Sequence, residues 1–185
     1  KGEEGGTYFV HAEFGGKEAN AVTTIPKSVE PDTVYFELLE ESDSLGLLKF
    51  EFTDPPDLKN YYRFFTRVRG KDTRFISSLI FALDDRYFSG RKAEFSLYRS
   101  SESPILKGEN KYFQTGDTVV FKLSTMDKKS YEFWNSYQNE VLNANNPFAS
   151  SVIGLESNIE GDGLGIWSGY ASSFYSIVIK KPDEK

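Results

Sequence analysis

Leu47-Leu48-Lys49-Phe50-Glu51-Phe52-Thr53, closed by Asp54-Pro55-Pro56-Asp57, decides the fold. Leu48, Phe50 and Phe52 alternate with Lys49, Glu51 and Thr53. A period of two puts apolar side chains on one face of a strand and polar ones on the other. Two prolines then remove the donors a ladder needs, so the chain must turn. The same grammar extends both ways. Tyr8 to Phe14 alternates, breaks at Gly15-Gly16 and resumes from Lys17 to Thr24, which is a hairpin pattern. Thr33 to Leu39 follows Pro26 and Pro31, and Tyr61 to Val68 follows the double-proline turn. Phe75 to Phe81, Ala93 to Tyr98, Thr118 to Leu123 and Ser173 to Lys180 complete the set. Aromatic residues make up 16% of the chain, and aromatics favour pleated, half-buried surfaces. Eight or nine short strands at this spacing predict an all-β fold, an antiparallel β-sandwich or barrel.

One segment changes period. Ser124-Thr125-Met126-Asp127 reads as a capping box, a hydroxyl at the N-cap and a carboxylate three residues on. Behind it Tyr131, Trp134, Tyr137 or Gln138, and Val141 recur every three to four residues. That predicts one amphipathic helix, about Met126 to Asn143, packed on the β-structure with Trp134 as a core anchor. Asn143, Asn145, Asn146 and Pro147 end it, and a long irregular stretch runs from Ala144 to Asp162. The 185 residues read as a single β-domain, with no internal repeat.

Net charge is −6, which argues against a nucleic-acid partner, since phosphate binding needs a basic face. Arg63, Arg67, Arg69, Lys71 and Arg74 do bunch, and alternation places them on the wet face of strands. The absence of cysteine removes disulfides, thiolate metal sites and cysteine nucleophiles. His11 is the only histidine and lies on the outer face of its strand, which leaves a Ser-His-Asp triad or a histidine-ligated zinc without support. No apolar run approaches the roughly 18 residues of a membrane helix.

Four places could carry chemistry. Asp54 and Asp57 flank a rigid turn and could contribute to a structural calcium site, although the spacing matches no calcium loop; no other cofactor is expected. Asp84 and Asp85 point to opposite faces, so they read as a turn with one local ion pair to Arg86. Glu160 and Asp162, with Asp54 and Asp57, are the carboxylates a glycoside or peptide hydrolase would use. Gly161-Asp162-Gly163-Leu164-Gly165 lacks the Lys-Ser/Thr of a phosphate loop and opens no helix. Trp167 and Tyr170 follow it on opposite faces. Trp167 reads as filling a core gap left by the glycines, with a stacking surface for a sugar ring or apolar side chain as the alternative. Trp167, Tyr170, Asn158, Tyr61 and Tyr62 are the candidate ligand-binding residues.

Several motifs run in one order: Ala21-Val22-Thr23-Thr24-Ile25-Pro26, Phe52-Thr53-Asp54-Pro55 with Asn60-Tyr61-Tyr62-Arg63, and Gly116-Asp117-Thr118-Val119 leading into Tyr131-Glu132-Phe133-Trp134. Asn146-Pro147-Phe148, Ser157-Asn158-Ile159 and Gly163-Leu164-Gly165-Ile166-Trp167-Ser168-Gly169-Tyr170 follow. Together these resemble the domain of unknown function 4249 family over nearly the whole chain. The resemblance implies an exported lipoprotein of Bacteroidota in the cell envelope, at the outer membrane. It also implies a TonB-dependent outer-membrane receptor as partner and a role in nutrient uptake. Membrane attachment would be through a lipid anchor outside these residues. Such proteins carry further strands ahead of the Thr-Ile-Pro motif, so residues 1–30 are expected to be the remnant of an upstream β-sandwich. No catalytic residue comes with the family. The favoured expectation is a non-enzymatic domain that binds or presents a glycan or peptide. A carboxylate-based hydrolase and a purely structural receptor-associated subunit are the rivals.

Overall fold

The computed structural model describes residues 1–78, 82–99, 111–143 and 154–180. In chain order the described elements are β1 (Thr7–Phe14), β2 (Lys17–Thr24), β3 (Thr33–Leu38), β4 (Leu45–Thr53), β5 (Tyr61–Val68), β6 (Ile76–Ser77) and β7 (Leu83–Asp84). After them come β8 (Lys92–Leu97), β9 (Phe113–Gln114), β10 (Thr118–Met126), α1 (Lys128–Asn143), β11 (Ile159–Gly161) and β12 (Tyr170–Val178). The pairs are antiparallel and fall into three sheets. One runs β3-β4-β8 with β9 beside β4, one runs β12-β10-β5-β6 with β7 beside β5, and a smaller one runs β1-β2-β11. The two larger sheets face each other as a sandwich, and among the described residues no sheet closes into a barrel. No described helix is long and apolar enough to cross a membrane.

The alternation in β4 does what its period dictates. Leu48, Phe50 and Phe52 are fully buried. The Phe50 ring lies 4.4 Å from Phe121 and 4.8 Å from Phe64, both across the sandwich on the opposing sheet. On the other face Lys49 pairs with Glu37 at 2.7 Å and Lys92 with Glu51 at 3.0 Å, a solvated charge ladder. Tyr62, Val68, Val119, Leu123 and Ile179 complete the second wall of the core.

The helix begins later than the capping-box reading places it. Ser124 and Thr125 remain in β10, because that strand keeps its pairing with β12 through Met126↔Tyr170. The cap is Asp127, whose Oδ1 accepts the Ser130 N–H at 2.8 Å. Its Oδ2 accepts from Thr23 Oγ1 at 2.7 Å and Thr24 N at 3.0 Å, so one carboxylate caps α1 and anchors the hairpin sheet to it. The predicted Phe75–Phe81 strand is two residues long where described, Ile76–Ser77, and residues 79–81 lie outside the described residues. The Asn146-Pro147-Phe148 motif lies outside them too.

Candidate functional site

A groove of about 540 Å³ opens where three pieces of chain meet. One wall is the strap Ile25–Val29, one is the turn between β4 and β5, and the third is the start of α1. Each is held by its own hydrogen bonds. Thr125 Oγ1 donates to the Lys27 carbonyl at 2.8 Å, and Ser173 Oγ donates to that of Val29 at 2.7 Å. These two hydroxyls belong to the second large sheet and stitch the strap across it. The double-proline turn closes on buried Asp54, whose carboxylate accepts from Tyr62 Oη, Asn60 Nδ2 and Gly90 N. Asn60 also donates its backbone N–H to Asp85 Oδ2 at 2.8 Å.

The groove's floor is apolar: Ile25, Val29, Leu58, Tyr61 and Met126 line it. Leu58 is 63% exposed, a large apolar side chain presented to solvent beside the cleft. Tyr61 stacks on Tyr131 with ring centroids 4.8 Å apart, and burial pushes its phenol up, so it is a neutral hydrogen-bonding wall at physiological pH. Lys27, Lys59 and Lys128 stand exposed around the rim. Lys59 reaches Asp84 at 3.6 Å and Lys128 reaches Glu132 at 3.3 Å. Two shallower depressions, about 190 and 390 Å³, lie on the hairpin sheet against Phe14 and Phe9.

The residues singled out from sequence go to four separate places. Tyr61 and exposed Asp57 meet in the groove. Tyr62 is fully buried and donates to Asp54, and desolvation first, then that carboxylate, pushes its phenol far up. Asp54 therefore spends its carboxylate on protein donors inside the fold, while Asp57 stays outside it. Among the described residues no three acidic or histidine side chains gather as a metal cluster. Trp167 and Asn158 form the glycine-rich loop. Asn158 Oδ1 accepts the Trp167 N–H at 2.9 Å, and its Nδ2 donates to the carbonyls of Trp167 and Val22 at 2.7 and 3.0 Å. The amide is thus committed to backbone, and the Trp167 ring, expected in the core, stands 41% exposed. The glycine space is taken by neighbours instead: a Cβ on Gly169 would strike Ile25. Tyr170 lies under α1, where its hydroxyl accepts from Trp134 Nε1 at 2.7 Å.

The carboxylates also part company. Asp84 holds Arg86 through both oxygens, which keeps its carboxyl below the ordinary range, while Asp85 binds the turn. Asp162 accepts the Glu18 N–H at 3.2 Å at the end of the hairpin sheet, and Glu160 is exposed on that sheet. His11 is exposed, its Nδ1 2.8 Å from Asn20 Oδ1.

The wet-face reading of the basic cluster fails at Arg63. Only 6% of it is exposed, and its guanidinium lies 3.7 Å from the Trp134 ring centre, with desolvation lowering its proton affinity. Period two cannot tell a solvated face from one that a helix covers. Trp134 anchors α1 as expected, but on a cation and a phenol on the sheet's outer face, away from the sandwich core.

The fold and the cleft define a helix-capped antiparallel β-sandwich domain with an open, apolar-floored groove. The chain belongs to the family described as domain of unknown function (DUF4249), whose model matches residues 1–175. No curated protein and no solved structure matches it.

Proposed function

We propose that this is a non-enzymatic binding domain of the cell envelope that takes up a glycan or peptide segment and serves a TonB-dependent outer-membrane receptor. The observation that carries the binding reading is the groove. Its volume, about 540 Å³, lies within the roughly 300–1,000 Å³ of small-ligand sites. An apolar floor with a few fixed polar groups at the rim is the usual chemistry of such sites. Burial of an aromatic or aliphatic group against Leu58 and Tyr61 would supply the affinity, and the rim lysines the orientation. The envelope and receptor context rests on the family resemblance.

Thermal denaturation across a panel of neutral oligosaccharides and short peptides tests the reading. A binder at 100 times its Kd stabilises by about 2.7 kcal/mol, enough to move a midpoint by several degrees. Leu58→Arg, at an exposed position, is expected to remove the shift and leave the unliganded midpoint in place. If no ligand moves the midpoint and no receptor copurifies from envelope extracts, the proposal is lost.

A second reading, a structural subunit packed on the receptor, is favoured by the hairpin sheet. Phe9 and Phe14 are 81% and 90% exposed there, and Leu164, in the loop after β11, is 96% exposed. Copurification that survives Leu58→Arg but not Phe9→Ser and Phe14→Ser would select it.

A further inference from the structure

The outer face of the sheet β12-β10-β5-β6 carries a ladder of cations and phenyl rings beside the helix. Lys122 is in direct register with Phe174 on one side and Phe65 on the other. Its ammonium lies 4.7 Å from the Phe65 ring centre and 5.7 Å from that of Phe75. Phe65 also takes the Arg63 guanidinium at 4.8 Å, and Phe75 takes Arg67 at 5.0 Å. Phe75 in turn packs on Phe174 at 5.9 Å. The order along the face is therefore Arg63, Phe65, Lys122, Phe75, Arg67. Among the described residues neither Lys122 nor Arg67 meets a carboxylate.

In a protein of net charge −6, two cations on one face that meet no carboxylate among the described residues, Lys122 and Arg67, are the exception. The ring faces offset part of their repulsion. An anion laid on the ladder would offset the rest. Burial, then the Arg63 charge, holds the Lys122 ammonium below its ordinary value, so the groups already tolerate each other at a cost. Phe174, 59% exposed, supplies the second element, a ring face open to solvent one strand away from that ammonium.

We propose that this face binds a sugar ring carrying an oxyanion, with the ring stacked on Phe174 and its carboxylate or sulfate held by Lys122 and Arg67. The site is separate from the groove, and its failure leaves the groove reading untouched. Titration calorimetry with oligogalacturonate, a sulfated chondroitin oligosaccharide, neutral maltohexaose and inorganic sulfate distinguishes the sources. Binding of either anionic oligosaccharide is expected, weakened by salt and absent for maltohexaose. Lys122→Met and, independently, Phe174→Ala should each weaken it at least tenfold, and Leu58→Arg should not change it. Phe174 is exposed, so that variant reports on binding even where Lys122→Met perturbs the sheet. The proposal is overturned if neither anionic oligosaccharide binds, if binding persists in both variants, or if inorganic sulfate binds as tightly as the sugars.

Discussion

Gly161 and Gly165 show how differently two glycines in one motif can act. Both have positive φ, +97° and +116°. A Cβ at Gly165 would meet nothing, whereas one at Gly161 would run into the Glu18 carbonyl oxygen, where β11 crosses β2. Gly165→Ala is therefore expected to cost about 1–3 kcal/mol, the conformational penalty alone. Gly161→Ala should cost clearly more in urea denaturation, and equal costs would refute the close approach. Lys122 gives a pH signature. Its folded-state affinity for protons is lowered, so the unfolded chain holds that proton more tightly. The resulting destabilisation is complete below the folded pKa and vanishes as pH rises through the ordinary lysine value of 10.5. Lys122→Met should raise the denaturation midpoint near neutral pH, and the gain should shrink in alkaline buffer. A gain that is independent of pH would assign the effect to packing. Sequence showed that Gly161 was special but not why, because the atom it would collide with, the Glu18 carbonyl oxygen, is more than 140 residues distant along the chain.

At the scale of elements, Asp127 joins two of them. It caps α1 through Ser130 and holds the β2 end through Thr23 and Thr24. Losing a cap costs about 0.5–2 kcal/mol, and Thr23 and Thr24 would lose their shared acceptor as well. Asp127→Ala should therefore exceed the ordinary cap penalty in urea denaturation and speed amide exchange in β1 and β2. A small cost with unchanged exchange would mean the sheet is held elsewhere. The long strands were legible: Lys17–Thr24 and Tyr61–Val68 have the limits their alternation sets. β7, β9 and β11 were not, since two or three residues carry no period and exist only because a neighbour offers its edge. The start of α1 was misplaced for a related reason. Ser124 and Thr125 have cap chemistry, but the strand pairing with β12 claims them and their hydroxyls serve Ser172 and Lys27.

For the whole molecule, stability rests on the phenylalanines between the two large sheets. Phe50 is fully buried and touches rings from both sheets. Phe50→Ala should cost about 3–5 kcal/mol, since transfer and cavity terms add; chemical denaturation measures it, and a cost near 1 kcal/mol would mean the sandwich can collapse around the gap. This core was readable because burial on a strand leaves a local record, one apolar residue in every two. The groove, the Asn158 clamp and the cation–ring ladder left no such record. Each joins residues from segments far apart in the chain: the strap with the double-proline turn and α1, Asn158 with Val22, Lys122 with Phe65 and Phe174. Sequence by itself determined that the chain is an antiparallel all-β fold, sandwich or barrel, with one helix, because period and turn chemistry are properties of neighbouring residues; that the sheets face each other as a sandwich was decided by the tertiary structure. Only the tertiary structure decided that Tyr62 is core, that Arg63 lies beneath Trp134 and that Trp167 faces solvent. Which face of a strand is covered depends on what folds back over it, and a local period is the same in either case.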